Sequence, residues 1–180
     1  MVESTDPLKI DLSIILPTLN EVESVPVTLS VLEELLQGVA FELIVVDDDS
    51  SDGTWQKVLE ISRNDPKVRL VRRVHRKGLS TAIMEGFMAA KGQKLMVADA
   101  DLQHDLSIIP KMLEASEDQD LVVGSRYLEQ SRISGWSSGR QSLSIYGTRF
   151  ACSLIKHEIS DPLSGFFLID AAKLHGMASS

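Results

Sequence analysis

A single cysteine, Cys152, is all that the 180 residues contain. It excludes an internal disulfide, and a reducing, cytosolic setting fits such usage. Cys152 stands in an apolar run and reads as a small buried residue rather than a nucleophile. Basic charge is also short. Eighteen Lys and Arg face 26 Asp and Glu, for a net charge of -8 and a pI near 5.0. That balance argues against a nucleic-acid partner, which needs clustered Lys and Arg to displace counterions. No apolar run reaches the roughly 18 residues of a membrane span. The first nine residues lack a charged region followed by an apolar stretch, so no signal peptide is expected. There is no G-x-G-x-x-G after the first apolar run and no G-x-x-x-x-G-K-[ST] anywhere, which removes the dinucleotide and P-loop readings. No His/Cys spacing suits zinc. Repeats, low-complexity tracts and linkers are absent.

What is present is a hydrophobic fraction of 43% and a mean hydropathy of +0.03, enough for one domain with a core over residues 1–180. Short apolar runs alternate with helical periodicity. Strands are predicted at 12–16 (ended by Pro17), 41–46, 68–73, 95–98 and 121–123, with a last apolar run at 166–169. Helices are predicted at 25–36, at 55–62 with Ser51 or Asp52 as N-cap, at 79–90 ended by Lys91-Gly92, and at 108–116 with Pro110 in the first turn. The alternation implies crossovers and an α/β fold with a mostly parallel, Rossmann-like sheet flanked by helices. Residues 129–140, rich in Ser, Gly and Arg, read as a loop, and 143–155 as an amphipathic helix that either packs on the sheet or lies on a membrane surface through Phe150 and Leu154. The end at Met177-Ala178-Ser179-Ser180 reads as a C-terminal truncation.

Chemistry concentrates where strands end, the edge at which open α/β sheets bind ligands. Asp99-Ala100-Asp101 follows the fourth strand, and adjacent carboxylates repel unless a cation joins them. Hard cations such as Mg²⁺ or Mn²⁺ take oxygen ligands, commonly one or two carboxylates plus phosphates. If the segment stays extended, Asp99, Asp101 and Gln103 share a face, and His104 falls off it as a loop residue. Four more carboxylates crowd the end of the second strand. Asp47 and Asp48 favour ligand contact, such as a nucleobase N–H edge or a ribose hydroxyl, whereas Asp49 and Asp52 read equally well as structural. Pro17-Thr18-Leu19-Asn20-Glu21 either faces a ligand or is a turn in which Asn20 caps the next helix. Among the basic residues, Arg126, just past the fifth strand, and Arg140 suit phosphate best.

Taken in order, Pro17-Thr18-Leu19-Asn20-Glu21, Val46-Asp47-Asp48-Asp49-Ser50-Ser51-Asp52-Gly53-Thr54, Arg76-Lys77-Gly78-Leu79, Asp99-Ala100-Asp101-Leu102-Gln103-His104, Gly124-Ser125-Arg126-Tyr127 and Asp161-Pro162-Leu163-Ser164-Gly165-Phe166 resemble the family-2 glycosyltransferases, in particular the polyprenyl-phosphate (dolichol-phosphate) mannose synthases. The resemblance covers nearly the whole chain and implies a glycosyltransferase-A fold with a nucleotide-sugar donor, usually GDP-mannose. By it, Pro17, Leu19, Glu21, Val46 and Asp48, with Asp47 and Ala100, would serve the nucleotide sugar. Asp99, Asp101 and Gln103 would hold Mg²⁺ or Mn²⁺, and Arg126 and Arg140 would meet the donor and acceptor phosphates. Asp161, Ser164 and Gly165 would shape the acceptor end. Leu19 departs from the family's usual Tyr, and Asp105 from its common Pro.

The implied reaction is inverting transfer of a hexose to a polyprenyl or dolichyl monophosphate at the cytoplasmic face of a membrane, with Asp101, Arg126 and Arg140 as the residues that carry it. Two alternatives stay open at this point. One is a UDP-sugar transferase acting on a lipid phosphate or polysaccharide, and the other a non-catalytic nucleotide- or metal-binding module.

Overall fold

The computed structural model describes residues 9–102, 104–124 and 165–178. Gln103, Arg126, Arg140, Asp161, Ser164, Cys152, the loop expected at 129–140 and the helix expected at 143–155 lie outside those residues. In chain order the elements are β1 (Leu12–Thr18), α1 (Ser24–Leu35), β2 (Phe41–Asp47), α2 (Thr54–Asn64), β3 (Val68–Arg72), α3 (Leu79–Ala89), β4 (Lys94–Val97), a 3-10 turn (Leu106–Ile108), α4 (Ile109–Ala115), β5 (Leu121–Val123), β6 (Phe167–Asp170) and α5 (Ala171–Ala178).

Six strands form one sheet in the order β3-β2-β1-β4-β6-β5. β3, β2, β1 and β4 run parallel, with Leu16 beside Val45 and Ile14 beside Met96. The apolar side chains of β1 divide between two layers. Leu12, Ile14 and Leu16 pack with Leu29 and Leu32 of α1, Val58 of α2 and Ile109 and Met112 of α4. Ile15 packs on the opposite face with Ala82 and Phe87 of α3 and Leu174 of α5. Burial on both faces explains why β1 and β2 read as near-continuous apolar runs rather than as alternating ones. Helix α3 comes unusually close to β1. A Cβ built on Gly86 would lie 2.4 Å from Ile15 Cγ2, so only glycine permits that contact.

The last apolar run finds its place in the sheet, and two local expectations are corrected. The final apolar run is an antiparallel strand, β6, inserted between β4 and β5 with Leu168 opposite both Met96 and Val122. Sequence alternation carries no signal for such an insertion, because it pairs strands that are distant in the chain. Helix α2 takes Gly53 (φ 101°) as its N-cap, not Ser51 or Asp52. Asp52 serves from one residue further back, accepting from Thr54 N at 3.0 Å. Gly92 does not close α3 as a left-handed cap. Its N–H donates to Ser13 Oγ at 2.8 Å, and a Cβ there would meet Ser13 N at 2.5 Å, so its role is close approach to β1.

Candidate active site

Because β1, β2 and β4 are parallel neighbours, their C-terminal ends share one edge of the sheet. The chain leaves β1 toward β2 on one side and returns to β4 on the other. This reversal is the place where open α/β sheets form their ligand crevice.

The loops after β1 and β2 are bound to each other by polar side chains. Asp47 is wholly buried, accepts from Thr18 Oγ1 at 3.0 Å, and takes Ser50 N and Ser50 Oγ at 2.9 and 2.6 Å. Ser50 Oγ in turn accepts from Asn20 N at 2.8 Å. Asn20 lies in the left-handed region (φ 61°) and does not cap α1. Its Oδ1 instead accepts from Ser51 N at 3.0 Å across the gap between loops. Glu21 N donates to Thr54 Oγ1, and the Glu21 carboxylate accepts from Ser24 Oγ at 2.6 Å. Asp52 accepts from Val22 N, Thr54 N and Thr54 Oγ1. Burial pushes its carboxyl up, but these hydrogen bonds outweigh it and hold the pKa below the ordinary aspartate value.

Asp48 sits in a second network. Arg73 Nη1 reaches Asp48 Oδ1 at 2.6 Å and Gly78 N reaches Oδ2 at 2.7 Å. The Arg73 side chain is 2% exposed and also contacts Glu85 and Thr81 of α3. This residue therefore ties the ends of β2 and β3 to the start of α3. Its neighbour Arg72 bonds Asp49 at 2.8 Å through Nε and lies 3.7 Å over the Trp55 ring.

The loop after β4 is built differently. Ala98 N still donates to Ile15 O, and Thr28 Oγ1 of α1 donates to the Ala100 carbonyl at 2.9 Å. Between them Asp99 points outward, its side chain 36% exposed. Its Oδ2 meets His104 Nε2 at 2.9 Å, and the His104 ring lies 5.2 Å from that of Phe166. A Cβ on Gly165 would lie 3.5 Å from both Asp99 oxygens, which brings the expected acceptor-side glycine against the expected metal loop. The extended geometry assumed for Asp99, Asp101 and Gln103 does not hold. The backbone bends over residues 100–102 and Leu102 turns left-handed (φ 60°), so strand alternation stops at Asp99.

Among the expected nucleotide contacts, Leu19 is exposed, and Pro17 and Glu21 are half-buried. The Val46 and Ala100 side chains are buried, so contact from either would come through the backbone. Sequence reasoning missed Arg73, which it placed only as the last residue of the strand expected at 68–73. It also missed Thr28 as the anchor of the Ala100 loop and His104 as the partner of Asp99.

The donor set fits a hard cation. It offers carboxylate oxygens at a partly open strand end, with one Asp99 oxygen anchored by a hydrogen bond, as is usual for ligating carboxylates. No three His, Cys, Asp or Glu side chains converge on a cation position among the described residues. Mg²⁺ is commonly held by one or two carboxylates, with phosphate oxygens and water as the other ligands.

Solved structures share the fold. A mannosyltransferase from Pyrobaculum calidifontis, in complex with GDP-Man and Mn²⁺, has a TM-score of 0.62 at 19% identity, covering 94% of this chain and 47% of that one. Glucosyl-3-phosphoglycerate synthase from Mycobacterium tuberculosis, with Mn²⁺, UDP-glucose and phosphoglyceric acid, has a TM-score of 0.66 at 22% identity, over 91% and 57%. Six strands in this order, with acidic loops on one edge, place the chain in the glycosyltransferase-A fold. Within that class the match is specific: the pattern of Glycosyl transferase family 2 spans residues 13–175, and the chain belongs to this family.

The curated dolichol-phosphate mannosyltransferase of Pyrococcus furiosus is 41% identical over 169 residues, 92% of this chain and 47% of the relative. The enzyme of that name in Saccharomyces cerevisiae is 35% identical over 164 residues, 89% and 61%. An undecaprenyl-phosphate mannosyltransferase of Micrococcus luteus is 32% identical over 155 residues, 84% and 63%. The chain thus spans about half to three-fifths of the length of these relatives.

Proposed function

We propose that this domain transfers a mannosyl group from GDP-mannose to the phosphate of a polyprenyl (dolichyl-type) monophosphate in one inverting displacement. The observation that carries the reading is the 41% identity, over 92% of the chain, to a dolichol-phosphate mannosyltransferase. The motif carboxylates Asp99 and Asp101 stand at the end of β4 beside the sheet's reversal point, in keeping with it.

The chemistry asks little of the protein. A lipid phosphate is already an anion near neutral pH and attacks the sugar C1 without a general base. Asp99 and Asp101, with Gln103, would hold Mg²⁺ or Mn²⁺. Such a cation, when bound, neutralises the charge that develops on the leaving nucleoside diphosphate. Pro17, Leu19, Glu21, the Val46 backbone and Asp48 hold the nucleoside side, and Asp47 fixes the loops that carry them. Arg126 and Arg140 hold the phosphates in line, contributing orientation and charge. Asp161, Ser164 and Gly165 shape the acceptor end.

Among the described residues no helix is long and apolar enough to cross a membrane. Contact with the cytoplasmic membrane face is proposed from the acceptor's chemistry. Thermal-shift measurements on the full chain, with GDP or UDP in the presence of Mn²⁺, test the donor. GDP is expected to stabilise more, and a larger UDP shift overturns the mannose reading in favour of a UDP-sugar.

A further inference from the structure

We infer that His104, packed against Phe166, is a positioning residue for the cation-binding carboxylate Asp99. The inference rests on the cation-site reading above. An ionised carboxylate only accepts hydrogen bonds, so the 2.9 Å contact requires the proton on His104 Nε2, which donates to Asp99 Oδ2. That bond occupies Asp99 Oδ2, and both carboxylate oxygens stand 3.5 Å from where a Cβ on Gly165 would lie, so the group is held from two sides.

The imidazole is itself held. Its side chain is 10% exposed, and its ring lies 5.2 Å from Phe166 at an angle of 36°. Phe166 in turn is 1% exposed and accepts from Gly124 N at 2.8 Å through its carbonyl. A Cβ on Gly124 would fall 2.5 Å from the Phe166 ring, so that ring is packed against backbone. One packed row therefore runs from Asp99 through His104 and Phe166 to Gly124, two residues before Arg126. Directly after His104, the Asp105 side chain accepts from Ser107 N at 3.0 Å and caps the 3-10 turn. A fixed orientation lowers the rotamer freedom that Asp99 must lose when a cation binds.

Mn²⁺ titration followed by electron paramagnetic resonance, with and without GDP, tests this on the full chain without requiring turnover. His104→Ala is expected to weaken Mn²⁺ binding by about 10- to 100-fold. His104→Gln, whose amide N–H reaches a position near Nε2, is expected to recover most of it. Thermal unfolding of each variant checks that the fold survives. Wild-type affinity in a folded His104→Ala protein overturns the inference, and so does a folded His104→Gln protein as weak as His104→Ala. If the wild type itself binds no Mn²⁺ in either condition, the cation-site reading fails, and this inference with it.

Discussion

Two acidic loops at the same sheet edge use aspartate in opposite ways. After β2, each of Asp47, Asp48, Asp49 and Asp52 meets donors inside the protein: Thr18 and Ser50, Arg73 and Gly78, Arg72, and Thr54 and Val22 respectively. After β4, Asp99 is held on one oxygen by His104 while its side chain stays 36% exposed. A count of carboxylates favours the first loop as the ligand site, and the internal donors that Asp47 and Asp48 hold count against it. The aspartates of the β2 loop brace its backbone and neighbours through internal donors, and in the β4 loop Asp99 is tied through Oδ2 to His104.

The largest effect that sharpens this contrast is expected in the β4 loop. Asp101→Ala should lower mannosyl transfer by at least about a hundredfold, while thermal unfolding stays near wild type. Near-wild-type transfer by a folded Asp101→Ala protein breaks the assignment of this loop. In the β2 loop the expected signature is stability. Asp48→Ala strands the Arg73 guanidinium, 2% exposed, with Glu85 as its remaining ion pair. Denaturant unfolding should show a loss of about 3 kcal/mol or more. An equally stable variant would mean that the brace is not bearing on the fold.

The smallest effect concerns Asp52, which is exposed, and Asp52→Asn should cost no more than about 1 kcal/mol at neutral pH. Its folded pKa lies below the unfolded one, so the contribution is present above the unfolded value of about 3.9 and disappears as pH falls through the folded value. Wild type and Asp52→Asn should therefore converge in stability at acid pH. A difference that grows on acidification contradicts the hydrogen-bond account.

Much of this was readable from residue order. Strands β1, β2 and β4 announce themselves as apolar runs that lead into acidic or Pro-containing segments, the apolar part because both faces are buried. The motifs that follow β1, β2 and β4 lie on the sheet edge where the site is proposed. What was hidden depends on distant pairings. β6 is an apolar run like any other until the sheet sets it antiparallel between β4 and β5. Arg73 is only the last residue of an expected strand until the fold buries it against Asp48 and Glu85. Asn20 and Asp52 look like helix caps, the local use of such residues, yet Asn20 bonds the loop after β2 and Asp52 reaches back to Val22 N. Strand periodicity cannot foresee that the chain bends at residues 100–102.

The central claim is that the cation belongs to the β4 loop and not to the more acidic β2 loop. Mn²⁺ titration of two double variants, Asp99→Ala/Asp101→Ala and Asp49→Ala/Asp52→Asn, tests it most directly. The account predicts that binding is lost in the first and stays within about threefold of wild type in the second. Retention in the first, or loss in a folded second variant, would contradict it.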